Sequence, residues 1–254
     1  MKIMSHFPRR LRAGFTLVEL LVVIAIIGIL AGMSLAVIPK VMNSAKKAKA
    51  KMQAQAIVTA IEHYDSTYGR FPVSATAQSA ANGGDFTYGG KFLTPAGTAT
   101  IGTPCPSVGV VSNNSEVIAI LMDYTNYPNS SVATLNANYQ KNPQKISFLS
   151  ANMPGDPALP GVGPDLVYRD PWGNPYVITM DLNYDENCWD AFYGSTTVSA
   201  GGLNGLISQK DNFGNAVFGF HGKIMVWSAG PDGKVDSTSL ANQGFNKDNV
   251  LSWQ

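Results

Sequence analysis

Hydrophobic spacing changes along the chain, and each change marks an element. From 20 to 39 every residue is uncharged and most are apolar, about the ~20 residues that a helix needs to cross a bilayer's hydrocarbon. Gly28 and Gly32 form a G-x-x-x-G pair within this run, a spacing that lets helices approach closely but is common in membrane helices in any case. Pro39 removes one backbone hydrogen bond and predicts a kink rather than an end. Beyond it Val41, Ala45, Ala48, Met52, Ala56, Ala60 and Tyr64 recur every three or four residues. They predict one apolar stripe on a continuing helix, with Gln53, Gln55, Glu62 and the lysines largely off it. A single helix over 15–64 would measure ~75 Å at 1.5 Å per residue. Gly69 followed by Phe71-Pro72 closes it.

Residues 73–112 are rich in Ala, Gly, Ser and Thr and show little period. They read as a long surface loop, with short strands at 86–92 and 108–111 and Cys105 held between Pro104 and Pro106. Asn113 with Glu116 three residues on predicts a helix start. Val117, Ile118, Leu121 and Met122 then give a short amphipathic helix to Tyr124. Ile146-Ser147-Phe148-Leu149 predicts a strand, and the Pro/Gly-rich stretch 153–164 a connector. In the last third 176–182, 216–220 and 223–228 read as strands. Asp170-Pro171-Trp172-Gly173-Asn174-Pro175-Tyr176 is a turn feeding the first of them. A long helix followed by antiparallel strands places the chain in the α+β class.

Composition narrows the chemistry. The formal net charge is +1 with 14% charged residues, so no nucleic-acid footprint is present. The histidines His6, His63 and His221 have no motif around them. No Cys/His cluster has zinc spacing, no Gly-rich phosphate loop follows a strand, and no G-x-S-x-G elbow occurs. No catalytic residue is assigned, and the reading is not an enzyme. Cys105 and Cys188 could pair in an oxidising compartment or stay as buried free thiols; the sequence leaves both open.

Lys2, Arg9, Arg10 and Arg12 precede the apolar run, and Glu19 stands at its head. A carboxylate in a membrane helix costs roughly 2.5–3.5 kcal/mol at the bilayer centre and less near the edge, and is usually kept for function. A secretory signal peptide cut after Ser34-Leu35-Ala36 would discard the helix and leave a chain starting at Val37. Such signals have an apolar core of only ~7–15 residues, and Glu19 is out of place in one. Instead Gly14-Phe15-Thr16-Leu17-Val18-Glu19 resembles the prepilin signal of type IV pilins and type II secretion pseudopilins. The resemblance implies cleavage by a prepilin peptidase between Gly14 and Phe15, N-methylation of Phe15, and Glu19 as the assembly carboxylate. An amine in a neighbouring subunit could then neutralise Glu19, and stranding either partner of such a buried pair costs ~3–5 kcal/mol. The chain divides accordingly into a leader (1–14), a transmembrane or filament-core half-helix (15–39), an amphipathic half and its end (40–72), and a periplasmic head (73–254). Within the head, 73–165 has no counterpart in the short members of the family, and 166–254 carries the sheet and C-terminal loop.

Two further phrases resemble the major, G-type pseudopilins of type II secretion: Ile61-Glu62-His63-Tyr64 through Pro72, and the 170–176 turn. The loop from Ser228 to Asp236, completed by 248–253, resembles the calcium loop of those proteins. It offers Ser228, Asp232, Asp236, Asp248 and Asn249, the oxygen types that calcium takes. Residues 237–247 are an insertion there, and Asn249 stands where a second acidic residue is usual. The alternative is a plain turn built on Asp232-Gly233. A second acidic loop, 181–187, begins D-x-N-x-D like an EF-hand, but Glu186 replaces the required glycine and Phe192 takes the twelfth position. It reads as a hydrophilic hairpin end.

Taken with the resemblance, the chain is expected to be a pseudopilin stored in the bacterial inner membrane, N-terminus in the cytoplasm and head in the periplasm. Lys40, Lys46, Lys47, Lys49 and Lys51 follow the span, so this orientation rests on the resemblance alone. Its partners would be copies of itself, the peptidase, minor pseudopilins and the inner-membrane assembly platform, in a filament for type II secretion. Alternatives are a type IV pilin or adhesion subunit on the cell surface, suggested by 73–112, and a membrane-anchored periplasmic binding or hydrolytic domain.

Overall fold

A computed structural model describes residues 14–105, 110–211 and 214–254. Lys2, His6, Arg9, Arg10 and Arg12, and the first half of the strand expected at 108–111, lie outside the described residues. The chain forms two compact units, Met1–Ser44 and Ala45–Gln254.

In the first unit, helix α1 (Leu17–Tyr68) begins and continues through Pro39 without ending. The large apolar side chains from Leu17 to Met42 are exposed. Among the described residues α1 is the one helix long and apolar enough to cross a bilayer.

In the second unit, the rest of α1 buries Ala50, Ala54, Ile57, Ala60, Ile61 and Tyr64. This corrects the expected stripe: Ala60 and Tyr64 hold, but Val41, Ala45, Ala48, Met52 and Ala56 are exposed, Met52 at 67%. Two rows of apolar residues run along this helix at three-four spacing. Burial is worth roughly 25 cal/mol per Å², so the row holding Ile57 and Ile61 faces inward. Gly69, at φ +64°, ends α1 in the left-handed region, and its N–H returns to the Asp65 carbonyl at 2.7 Å.

The segment expected as a surface loop holding short strands at 86–92 and 108–111 has strands there, and a helix and further strands as well. Helix α2 (Ala75–Ala80) is capped by Ser74, whose hydroxyl accepts from the Ala77 N–H at 3.0 Å. Strands β1 (Phe86–Tyr88), β2 (Gly90–Thr94), β3 (Gly97–Ile101), β4 (Pro104–Cys105) and β5 (Val110–Val111) follow. Phe86 and Tyr88 are fully buried. Helix α3 (Ser115–Leu121) is shorter than expected and is not amphipathic, since Val117 to Leu121 are all buried. Residues 146–149 form no strand; the N–H groups of Phe148 and Leu149 both donate to the Leu121 carbonyl, closing the end of α3. Beyond lie β6 (Gly161–Val162), β7 (Tyr168–Arg169), β8 (Val177–Met180), β9 (Asn187–Cys188), β10 (Ile207–Lys210), β11 (Ala216–His221), β12 (Ile224–Ser228) and β13 (Val250–Leu251).

The main sheet has the order β1-β8-β12-β13, with antiparallel pairing throughout. Its period of two divides the core. Ile178, Met180, Ile224 and Val226 join α1 and α3 on one face; Val177, Met225 and Trp227 join Phe192, Tyr193 and Leu251 on the other. A long helix followed by an antiparallel sheet domain is the α+β, pilin-like arrangement that the sequence predicts.

Candidate functional site

At the helix head, Gly14 is exposed and Phe15 is 80% exposed. Thr16 and Glu19 then bond reciprocally. The Thr16 N–H and hydroxyl each donate to Glu19 Oε2 at 2.8 Å, and the Glu19 N–H donates to Thr16 Oγ1 at 3.2 Å. This is a capping box, a Ser/Thr and a Glu three residues apart satisfying helix N–H groups that have no intrahelical partner. Thr-x-x-Glu before an apolar run is its sequence signature, and the reading of Glu19 as a carboxylate met by a neighbouring subunit's amine overlooked this local partner. Glu19 therefore has a local role in the single chain, with both side-chain bonds on Oε2.

The C-terminal loop is organised by the 170–176 turn, which does more than feed β8. Asp170 is buried, and its Oδ1 accepts from the Trp172 and Asn174 N–H groups at 2.8 and 2.9 Å. Its Oδ2 accepts from the Asn174 amide at 3.2 Å and from the Ser228 hydroxyl. Burial pushes its carboxyl up against the pull of those bonds. Asn174 also donates to the Gly230 carbonyl at 2.8 Å, so turn and loop are one hydrogen-bonded unit. Gly230 has φ +69°, and a Cβ there would meet the Asp248 carbonyl.

These contacts divide the expected calcium ligands. Ser228 is fully buried and committed to Asp170. Asp236 caps the insertion, accepting from the Thr238 N–H at 2.9 Å and the Thr238 and Ser239 hydroxyls at 2.6 and 2.7 Å. Those bonds hold its carboxyl below the usual range. Asn246 closes the insertion, accepting from the Asp236 N–H at 2.9 Å and donating to the Asp236 and Ser239 carbonyls. That closure returns Asp248 to Gly230. Burial, then the nearby Asp232 charge, pushes the Asp248 carboxyl up. Asp248 Oδ1 and Asn249 Oδ1 are buried with no hydrogen-bond partner among the described residues, although Asn249 donates to the Tyr193 hydroxyl at 2.8 Å. Asp232 thus lies near enough to Asp248 for its charge to act there, and Asp248 and Asn249 each carry one unsatisfied oxygen. Among the described residues no group of three His, Cys, Asp or Glu could hold a metal ion, so any cation here would need amide and carbonyl oxygens as well.

In the second acidic loop Asp181 turns inward and accepts from the Asp185 and Glu186 N–H groups at 3.3 and 2.8 Å. It acts as a turn-former. Beside it lies Asp85, a group that the sequence reading missed; only its place just before an aromatic strand could have drawn notice. It is 3% exposed. Its Oδ2 accepts from the Trp189 N–H at 2.6 Å, while Oδ1 has no partner among the described residues. Asp190, equally unnoticed, is buried and accepts from the Thr179 hydroxyl, the Trp227 indole and the Phe192 and Tyr193 N–H groups.

The cysteines do not pair. Cys105 lies in the core that includes α1, 3.6 Å from the Ser112 hydroxyl. Cys188 lies in the core on the other face of the sheet, where burial pushes its thiol up. Both are free. Of the two possibilities that the sequence left open, this arrangement is the one with free thiols, the two lying in different core clusters. His63 meets Phe148 edge-on at 5.0 Å, and His221 pairs with Asn187 at the end of β11.

Comparison with known proteins agrees with the helix head. The prokaryotic N-terminal methylation motif matches residues 9–35. The chain is 34% identical over 117 residues to the type IV major pilin protein PilA of Myxococcus xanthus. That stretch covers 44% of this chain and 53% of the relative, so the chain spans about half the relative's length. No solved structure matches significantly. The motif, the pilin relative and the long helix followed by an antiparallel sheet make this chain type IV pilin-like.

Proposed function

We propose that the chain is the structural, non-enzymatic subunit of a helical filament, held in the bacterial inner membrane as a precursor with its head in the periplasm. It is cleaved after Gly14 by a prepilin peptidase and N-methylated at Phe15. The observation that carries this reading is the helix from Leu17 to Met42, exposed along its apolar length with Glu19 as its one carboxylate. Such a surface needs lipid or other helices around it. Cleavage frees an amine close to Glu19, and the carboxylate, already fixed by Thr16, would meet the amine of a second copy. Intact mass and N-terminal sequencing of the protein from its host's membranes test the proposal. A chain starting at N-methylated Phe15 supports it, and one starting at Val37 overturns it.

The finer reading is a pseudopilus for type II secretion, working with minor pseudopilins and the assembly platform. It rests on the 170–176 turn locked to the 228–233 loop, and it would include a calcium ion held by Asp232, Asp248 and Asn249 with nearby carbonyls. The two unsatisfied oxygens fit a hard cation, which would order the loop by bridging its two ends. A surface type IV pilus is the second reading, favoured by the similarity to a type IV major pilin. Deleting the gene separates them: accumulation of exported enzymes in the periplasm supports the pseudopilus, and loss of surface filaments with secretion intact supports the pilus.

A further inference from the structure

Behind the end of α1 lies a cavity of about 180 Å³, lined by Arg70, Phe71, Ser74, Gln78, Lys141 and Tyr184 among others. Its two cations arrive from distant parts of the chain; Arg70 is exposed, and Lys141 is half-buried and held by buried groups. The Tyr64 hydroxyl donates to the Lys141 carbonyl at 2.7 Å, and the Arg70 charge acts on the same hydroxyl. Lys141 Nζ donates to the Val73 carbonyl at 2.8 Å, which leaves it two further protons. The Tyr184 ring stacks on Phe71 at 5.1 Å between centroids and walls one side.

Among the described residues neither cation is in an ion pair; the two pairs present are Arg169–Asp165 and Lys223–Asp65. Burial and the Arg70 charge both push the Lys141 ammonium down, against a weaker pull from Glu116. Glu116 itself accepts from the Tyr88 hydroxyl at 3.1 Å. Asp65 and Asp181 act from the Tyr184 side, but Asp65 is paired with Lys223 and Asp181 is bonded to its own loop. Two like charges facing one cavity, the ammonium partly desolvated, repel each other, and an anion joining them relieves that repulsion. The cavity is smaller than the ~300–1,000 Å³ of drug-sized ligand sites but several times the ~30 Å³ share of one water. A carboxylate or phosphate group fits within that volume, and guanidinium recognises both through paired N–H groups.

We propose that Arg70 and Lys141 form a binding site for an oxyanion group, a carboxylate or phosphate, seated against the Phe71–Tyr184 wall. This site is independent of Glu19 and of the C-terminal loop, and stands whether or not the filament reading does.

The test is an amide chemical-shift titration of the full chain in detergent with inorganic phosphate, at constant ionic strength. Saturable shifts are expected at 70–78, 141 and 184. The Arg70→Gln/Lys141→Gln double variant should weaken phosphate about tenfold to a hundredfold, the effect of losing charge-assisted donors. Arg70→Lys should keep part of the affinity, and Lys91→Gln, at an exposed site on β2, should leave it unchanged. Should the double variant not fold, the wild-type shift map and Arg70→Lys decide alone. Binding to the dispersed chain but not to filaments identifies a neighbouring subunit's carboxylate as the occupant; binding to both identifies a free oxyanion. Absence of saturable shifts at these positions, or shifts that persist in the double variant, overturns the proposal.

Discussion

Substituting Asp85 by Asn should stabilise the head at neutral pH and do almost nothing at pH 4. Burial, the largest influence, pushes the Asp85 carboxyl up to about 8; the Asp181 and Asp185 charges add to it, and the Trp189 N–H opposes it. In the unfolded chain the same group ionises near 3.8. Below that pH both states hold the proton, and Asp85 costs nothing. As pH rises, the unfolded chain releases its proton while the folded chain keeps it, so stability falls until the folded group ionises near 8. At 1.36 kcal/mol per pH unit, the loss at pH 7 reaches about 4 kcal/mol as an upper bound.

Asp85→Asn keeps an oxygen to accept from the Trp189 N–H and cannot ionise. It should therefore recover roughly 2–4 kcal/mol at pH 7. Other shifted carboxyls, such as Asp170 and Asp181, are present in both proteins and cancel in the comparison. Urea unfolding of the full chain in detergent, followed by tryptophan fluorescence at pH 4 and pH 7, gives the two differences. A stability change of equal size at both values would refute the reasoning, as would destabilisation at pH 7.

The inward row of α1 predicts that Ile57→Ala or Ile61→Ala costs about 2–5 kcal/mol, while Met52→Ala stays within about 0.5 kcal/mol; urea midpoints in the reverse order would restore the stripe expected from the sequence. Thr16→Ala removes the cap but keeps the carboxylate, so sedimentation should show filaments with Thr16→Ala and none with Glu19→Ala or Glu19→Gln. Equal loss in all three would mean that Glu19 acts only within its own helix. Calcium added after chelator treatment should raise Tm, with about 2.7 kcal/mol of stabilisation at a hundred times Kd, and Asp248→Asn should abolish the effect; an unchanged wild-type Tm removes calcium from the function. Iodoacetamide should label Cys105 and Cys188 only after unfolding without reductant, and an unfolded chain that resists labelling would show that they are paired.

What the sequence made legible follows from how far each partner lies along the chain. The helix and β8, β11 and β12 were readable because their apolar runs are long and their partners close in kind. Strand β1 was expected too, within 86–92, but its place in the main sheet was not: all three of its residues are buried, so it shows no alternation that would assign its faces, and it lies in an Ala/Gly/Ser-rich stretch. Its pairing with β8 joins Phe86 to Met180, far along the chain. Asn113 was read as the helix start, yet the N-cap is Asn114, whose amide donates to the Tyr168 and Tyr176 carbonyls and whose oxygen accepts from the Tyr168 N–H. A local pattern cannot name partners more than fifty residues away.

Glu19 shows the same logic from the other side. Its capping partner is three residues off and lies in plain view as Thr-x-x-Glu, but the cost of a carboxylate in lipid drew attention outward to an amine on another chain. Both can hold. A cap fixes the rotamer of Glu19 on an exposed apolar helix, and a fixed carboxylate loses less entropy on meeting an incoming amine than a free one. The local bond would then prepare the intermolecular one, and Thr16→Ala filaments should form more slowly than wild type while reaching the same final mass.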